Sequence, residues 1–191
     1  MRARILDTAE TLLRRHGVGK LNVVDVARAL NMSHGNVYRH VPSKAALRAA
    51  VVHRWLERVS DQTGAIARKE APADQRLVEW LRTLAAIKRR KVTEDAELLE
   101  AAASVVRDMP EILDEHAALL TGQVIRILEA GMADGSLTRI ADPSMTAVAI
   151  LNATTRFHHP AMVANAGPPS EQMRALDGVI SLVMAGITQP S

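Results

Sequence analysis

At 191 residues, 48% of them apolar and none of them cysteine, the chain is long enough to bury a core unaided, and disulfides, thiolate metal sites and cysteine-based redox sensing are excluded. Its apolar runs fall far short of the ~20 residues a membrane span needs and Met1 to Glu10 lacks a signal-peptide core, so a soluble, cytoplasmic protein with no membrane partner is expected. Charge is uneven: residues 1–60 hold 11 Lys/Arg against 4 Asp/Glu, a net of +7, while the remainder holds 13 against 17, a net of −4, and a basic third of this kind suggests a polyanionic partner.

Helical periodicity runs almost throughout, with no alternating pattern that would mark a strand pair. The first helix spans Arg2 to His16, with Ile5, Leu6, Ala9, Leu12 and Leu13 on one stripe and Gly17 as a left-handed cap. Asn22 caps a second helix, with Asp25 close behind, and the stripe Val23, Val26, Ala27, Leu30 runs out at Asn31. Asparagine is the residue, after glycine, that best tolerates the left-handed conformation of a tight turn. Ser33 caps a short third helix, His34 to His40, which carries Val37 and Val41 inward; Pro42 stops it, and Ser43 caps a long fourth helix to about Arg68. Val23 to His40 therefore reads as a helix-turn-helix unit, whose second helix can enter a major groove.

Long amphipathic helices follow. Pro72 precedes one of about Asp74 to Lys91, with Leu77, Trp80, Leu81, Leu84 and Ile87 inward, and Thr93 is expected to cap the next, Glu94 to Asp108. Met109-Pro110 ends that helix, and Glu111 to Ala133 follows, broken at Asp134-Gly135. Asp142-Pro143 opens an eighth helix, Ser144 to Ala164; after the loop Asn165 to Pro169, the last runs Ser170 to Ile187. Met109, Met132 and Met162 are expected to fill gaps in the core.

The run Ile5-Leu6-Asp7-Thr8-Ala9-Glu10, then Leu13, Gly17, Val23, Asp25-Val26-Ala27, Ser33, Val37-Tyr38, Ser43-Lys44 and Leu47 resembles the N-terminal domain of TetR-type (TetR/AcrR) transcriptional regulators. The match covers about the first fifty residues without a gap; the rest resembles the family only in length and helix content. Asn22 and Asn31 replace the usual Thr and Gly but keep their roles, and Val41 replaces a common aromatic. The resemblance implies an all-α protein of about nine helices: a three-helix helix-turn-helix head (residues 1–48), joined by a long fourth helix to a helical-bundle dimerisation and ligand-binding domain (residues 49–191). It implies a DNA-binding regulator, most often a homodimeric repressor released from double-stranded DNA by a small-molecule effector.

On the head, Ser33, His34, Gly35, Asn36, Tyr38, Arg39, His40 and Lys44 are the DNA-binding candidates. Asn36 suits an adenine edge, Arg39 guanine or phosphate, and His34 either. Gly35 would let the helix lie close to the groove. Tyr38, the only tyrosine, suits a phosphate hydrogen bond or, alternatively, a half-buried support for its helix. Lys44 adds charge at a helix start, where phosphates bind, and Arg48 is a further candidate with less support. Arg2, Arg4 and Arg28 fit backbone contacts or plain surface equally well.

The body offers less. Homodimerisation is expected through Ser144–Ala164 and Ser170–Ile187, with Val148, Leu151, Leu176, Val179, Ile180, Val183 and Met184 shared between seam and core, and Ala147, Ala149, Ala153, Ala175 and Gly178 permitting close approach. Effector candidates are His116, Gln123, Asn152, Arg156 and Phe157, lined by Leu84, Ile87, Leu98, Val105, Ile112 and Leu119, although core positions would explain each. Asn152, Arg156 and His159 share one face of a continuous helix, where a buried Arg would favour an anionic or carbonyl-bearing ligand. No cofactor is expected. His158-His159 does not read as a metal site, because adjacent helical residues diverge by about 100°. Phosphate loops, HExxH and G-x-S-x-G elbows are all lacking, and Glu94, Asp95, Glu97 and Glu100 suit a helix start better than acid–base work, so no catalytic residue is expected. The competing readings are a helical protein-binding adaptor and a ligand-independent DNA-binding protein.

Overall fold

A computed structural model describes residues 1–17, 19 and 21–188, and the described residues form helices and no strand. The helices are α1 (Arg2–His16), α2 (Val23–Ala29), α3 (His34–Tyr38), α4 (Lys44–Ala67), α5 (Ala73–Glu94), α6 (Ala96–Asp108), α7 (Glu111–Asp134), α8 (Pro143–Thr154), α9 (Pro160–Ala164) and α10 (Pro169–Ile187). They pack into two compact units. Unit 1 comprises Met1–Arg58 and Glu94–Glu115; unit 2 comprises Val59–Thr93 and His116–Ser191. Compactness thus draws its line ten residues beyond the sequence boundary at 48/49 and gathers 94–115 into the first unit. The cause is apolar burial: Leu98, Ala101, Val105 and Ile112 of α6 and α7 share one core with Ile5, Leu13, Val26, Val37, Leu47 and Trp55.

This packing changes the charge picture. Residues 94–115 hold eight carboxylates against Arg107 alone, a net of −7 that cancels the +7 of residues 1–58. Unit 1 is therefore balanced as a whole, and its basic character is a matter of where the unpaired cations lie. Glu10, 12% exposed at its side chain, accepts from Arg14 (3.0 Å), Arg54 (3.0 Å) and Arg58 (2.6 Å). Burial alone would raise the Glu10 pKa, but hydrogen bonds from Arg58, Arg14 and Arg54 outweigh it and hold the carboxyl below its ordinary value. Asp95 accepts from Arg14 and, at 3.0 Å, from the Trp55 indole N–H.

The expected start and stop signals mostly operate. Asn22 Oδ1 accepts from the Asp25 amide (2.8 Å), Ser33 Oγ from the Asn36 amide (3.3 Å) and Ser43 Oγ from the Ala46 amide (3.0 Å). Asn31 adopts φ +52°, the left-handed turn its chemistry allows. Thr93 is not a cap. It lies inside α5, its hydroxyl donating back to the carbonyls of Arg89 and Arg90, and α5 continues to Glu94.

The second core, in unit 2, is built on Leu77, Trp80 and Leu84 of α5 with Val124, Ile127 and Leu128 of α7 and Leu176 and Ile180 of α10. Leu137 folds back on α7 over Gly131, where an added Cβ would lie 2.5 Å from the leucine side chain, so only glycine permits this packing. The expected eighth helix is not continuous. It breaks after Thr154 into a 3₁₀ turn, Thr155–Phe157, and resumes as α9. Pro160 is the reason: it pushes His159 into an extended conformation (φ −78°, ψ 124°) and has no N–H to continue the ladder. Met132 (41% exposed) and Met162 (50%) stand at the surface rather than in core gaps; only Met109 packs partly inward.

Candidate nucleic-acid interface

The turn between α2 and α3 is fixed from both sides. Asn31 reverses the chain, the Met32 amide bonds the Ala27 carbonyl at 2.9 Å, and Ser33 opens α3 with its hydroxyl on the Asn36 amide. Val37 (0% exposed) and Val41 (2%) pin the short helix to the core. That anchorage turns the opposite face outward: Ser33, His34, Gly35, Tyr38, Arg39, His40 and Lys44 are all exposed, with Asn36 half-buried. Tyr38 is 45% exposed, more open than the supporting role would need.

The polar groups of this face have few internal partners and no acid among them. Arg39 donates to Asn36 Oδ1 (2.8 Å), leaving the Asn36 amide N–H groups directed elsewhere, and Lys44 Nζ reaches the Gly19 carbonyl at 3.3 Å. Among the described residues, neither Arg39 nor Lys44 forms an ion pair, in contrast to Arg14, Arg54 and Arg58. Arg28 is tied to Asp25 at 3.2 Å and Arg48 is half-buried, so both are less free to meet an outside anion. A Cβ built on Gly35 meets nothing within 4 Å, so no neighbour within the chain demands glycine there. The arrangement presents a short, capped, rigid helix with hydrogen-bonding side chains and two unpaired cations, which is what groove reading and phosphate contact require.

In unit 2 the effector candidates do not assemble as expected. His116 and Phe157 are buried and Gln123 half-buried, while Asn152 and Arg156 lie exposed. The break before Pro160 also removes the shared face of Asn152, Arg156 and His159, so Arg156 is not the buried cation. Leu98, Val105 and Ile112 belong to the core of unit 1, and Leu119 is 55% exposed.

His116 and Gln123 instead enter a polar chain that includes residues with no sequence signal. Trp80 Nε1 donates to Gln123 Oε1 (2.9 Å), Gln123 Nε2 donates to the Ser60 carbonyl (2.8 Å), Ser60 Oγ meets His116 Nδ1 (3.0 Å), and His116 Nε2 meets Lys88 Nζ (3.0 Å). Burial first, then the charges of Lys88 and Lys91, lower the His116 pKa to about 3, and burial lowers Lys88 to about 8. Burial also lowers His158 to about 4, against the hydrogen bond its Nε2 makes with the Leu151 carbonyl (3.1 Å). No group of three or more His, Asp or Glu fit to hold a metal occurs among the described residues, and no described helix is long and apolar enough to cross a membrane.

Elsewhere in unit 2, α8 and α10 keep Ala147, Leu176 and Ile180 in the core. They leave Met145 (69% exposed), Val148, Ala149, Ala153, Ala175, Gly178 and Leu182 (76%) uncovered. Ala147 is thus core rather than seam.

Comparison with known proteins agrees with this architecture. Residues 5–51 match the family described as bacterial regulatory proteins, tetR family, and residues 73–179 match the tetracyclin repressor-like C-terminal domain. An uncharacterized HTH-type transcriptional regulator of Mycobacterium tuberculosis is 35% identical over 82 residues, an overlap of 42% of this chain and 41% of the relative. Among solved structures, a TetR-family transcriptional regulator from Mesorhizobium loti superposes with a TM-score of 0.79 at 18% identity, over 98% of this chain and 96% of its own. SmeT, the repressor of the Stenotrophomonas maltophilia multidrug efflux pump SmeDEF, gives 0.64 at 19% identity, over 100% and 92%. Bacillus subtilis FadR in complex with stearoyl-CoA gives 0.62 at 13%, over 98% and 100%. At these identities the likeness is one of fold.

Proposed function

Because this chain belongs to the tetR family of bacterial regulatory proteins, we propose that it is a sequence-specific transcriptional regulator that reads double-stranded DNA through α3 and acts as a homodimeric repressor released by a small-molecule effector. The observation that carries the DNA reading is the outward face of α3, where Arg39 and Lys44 stay unpaired while the arginines around Glu10 are neutralised. His34 and Asn36 meet base edges, Gly35 admits the groove wall, Tyr38 and Lys44 hold phosphates, and Ser33 and His40 flank them.

A homodimer is favoured by the uncovered stretch of Met145, Val148, Ala149, Ala175, Gly178 and Leu182, apolar and small enough for two helix pairs to approach as a four-helix bundle. Pairing would set two copies of α3 in successive major grooves, ~34–36 Å apart. An effector that prefers a different head spacing then weakens DNA binding by its differential affinity for the two states.

Fluorescence anisotropy on the DNA preceding the gene, at two salt concentrations, tests this. Sequence-selective binding that falls ~10³-fold or more with salt, and that Tyr38→Ala and Lys44→Ala both weaken, is the expected result. Salt-insensitive binding indifferent to both substitutions would overturn the reading and favour a protein-binding head.

A further inference from the structure

We propose that Lys88 is the anchor for a carboxylate group on the effector, with His116 and His158 flanking it, so that the ligand is a small amphiphilic acid. The proposal deepens the effector reading above and rests on it only for the link to DNA release.

The starting point is an unbalanced charge. Lys88 of α5 is half-buried, its amine 3.0 Å from His116 Nε2, and among the described residues it ion-pairs with no carboxylate. An ammonium withdrawn from water without a counter-charge is costly, and folds usually supply an acid beside it. Here the fold supplies an imidazole in contact, that of His116. His158 is close enough for Lys88 to depress its pKa, and Lys91, buried one turn along α5, adds to the field at His116. The side chain in hydrogen-bonding contact with Lys88 is thus a base rather than an acid.

The imidazole is oriented rather than merely present. Accepting from Lys88 leaves His116 Nε2 unprotonated, so Nδ1 carries the hydrogen and donates to Ser60 Oγ. Behind it, Gln123 donates to the Ser60 backbone carbonyl and accepts from the Trp80 indole, which fixes the backbone that carries the Ser60 hydroxyl. An arriving carboxylate takes over the Lys88 hydrogens, which His116 accepts only as a neutral substitute. Binding an anion also favours the protonated amine, so a proton is taken up when ligand binds near pH 8, where Lys88 is partly neutral. The rest of the ligand is read from the neighbourhood. Leu84 lies one turn from Lys88 on α5, Leu120 one turn from His116 on α7, and both are core residues, so the surroundings of the charged end are apolar and a ligand that opens them would carry an apolar body. One unpaired cation beside two neutral imidazoles matches a single negative charge better than a double one.

The test measures binding of acetate, butyrate and octanoate to the full-length protein without DNA, each against the alcohol of the same chain length. Thermal shift and calorimetry in two buffers of different ionisation enthalpy supply the readouts. The expected result is that carboxylates stabilise and alcohols do not, with affinity rising along the series and proton uptake near pH 8. Lys88→Met should lower octanoate affinity by about 10–100-fold and abolish the proton uptake, while Lys88→Arg keeps part of the affinity. The His116 and His158 ring resonances of the unsubstituted protein should shift with octanoate and not with octanol, a readout that needs no variant to fold. Equal stabilisation by alcohols, undiminished binding to Lys88→Met, or no carboxylate effect at all would overturn the proposal. Operator DNA added afterwards separates the two readings: binding without release supports the anion site and counts only against its role in release.

Discussion

In unit 1 partly exposed arginines come with acids, Arg14, Arg54 and Arg58 converging on Glu10 while Asp95 takes Arg14 and the Trp55 indole; in unit 2 the amine of Lys88 meets the His116 imidazole and no acid. The difference teaches where to look for outside partners. A cation answered within the fold is architecture, because its removal or its exposure to a ligand would leave a half-buried acid such as Glu10 without its partner. Among the cations without an ion pair in the described residues are Arg39 and Lys44 at the α3 face and, drawn into unit 2, Lys88. Net charge alone would miss this, since unit 1 sums to zero.

The largest effect should come from breaking the answered set. Glu10→Ala removes the acid three guanidinium groups share, although Arg14 keeps Asp95 and Arg54 keeps Asp7, and should cost about 1.5–3 kcal/mol in unit 1. The chain has two tryptophans, Trp55 in unit 1 and Trp80 in unit 2, so urea unfolding followed by Trp55 fluorescence in a Trp80→Phe background reads this unit. A cost under about 1 kcal/mol would reduce the Glu10 hub to a surface ion-pair cluster. The hub also has an acid limit. A carboxyl held below its ordinary 4.5 contributes stability that is present above that value and lost as pH falls through the lower folded value.

Unit 2 should weaken sooner on acidification. His116, lowered from 6.5 to about 3, stays neutral in the fold while the unfolded chain takes up a proton, so stability falls steadily as pH drops from 6.5 toward 3. At ~1.4 kcal/mol per pH unit, a loss of a few kcal/mol is the upper bound. His116→Gln should flatten that slope, measured by Trp80 fluorescence in a Trp55→Phe background. Lys88 works in the opposite range: lowered from 10.5 to about 8, it penalises the fold at neutral pH. Lys88→Met should therefore stabilise the ligand-free protein by about 1–3 kcal/mol while removing its anion affinity. If Lys88→Met destabilised it, the contrast between the two units would fail.

A smaller effect tests how much of the head is local chemistry. Ser33→Ala removes the cap of α3 and should cost about 1 kcal/mol, read by the same Trp55 unfolding transition. Such a cap is recognisable in the sequence because the force it exerts is short-ranged. Asn22, Asn31, Ser33 and Ser43 act on backbone within three residues of themselves, so the helix-turn-helix is legible nearly to the residue. Pro160 acts just as locally in stopping the eighth helix, but the apolar run around it masks the signal. Thr93 reads as a cap because a hydroxyl ahead of acidic residues is ambiguous between capping and bonding back to its own helix. The polar chain of unit 2 is illegible for a different reason. Ser60, Trp80, Lys88, His116 and Gln123 come from three helices, and no spacing rule links residues so far apart. His116 and Gln123 stand out in the sequence by residue type; Lys88, the group that makes the cluster chemically distinctive, does not.

Gly35 gives the smallest stability change and sharpens the comparison most, because its sign is reversed. Glycine inside a helix costs roughly 0.5–1 kcal/mol relative to alanine. Gly35 has no positive φ, and an added methyl meets nothing within 4 Å. Alanine there should therefore stabilise unit 1 by a few tenths to ~1 kcal/mol, seen as a rise in the Trp55 transition. Nothing within the chain calls for glycine at this position. On the proposed DNA reading an outside surface does: a methyl on the exposed side of α3 would hold the helix off the groove and lengthen the contacts proposed for His34 and Asn36. Gly35→Ala should thus be more stable and bind operator about tenfold more weakly, the loss expected when one good base contact is missed. A variant both more stable and fully able to bind would show that Gly35 is not a point of contact, and would move the reading edge of α3 toward Tyr38 and Arg39.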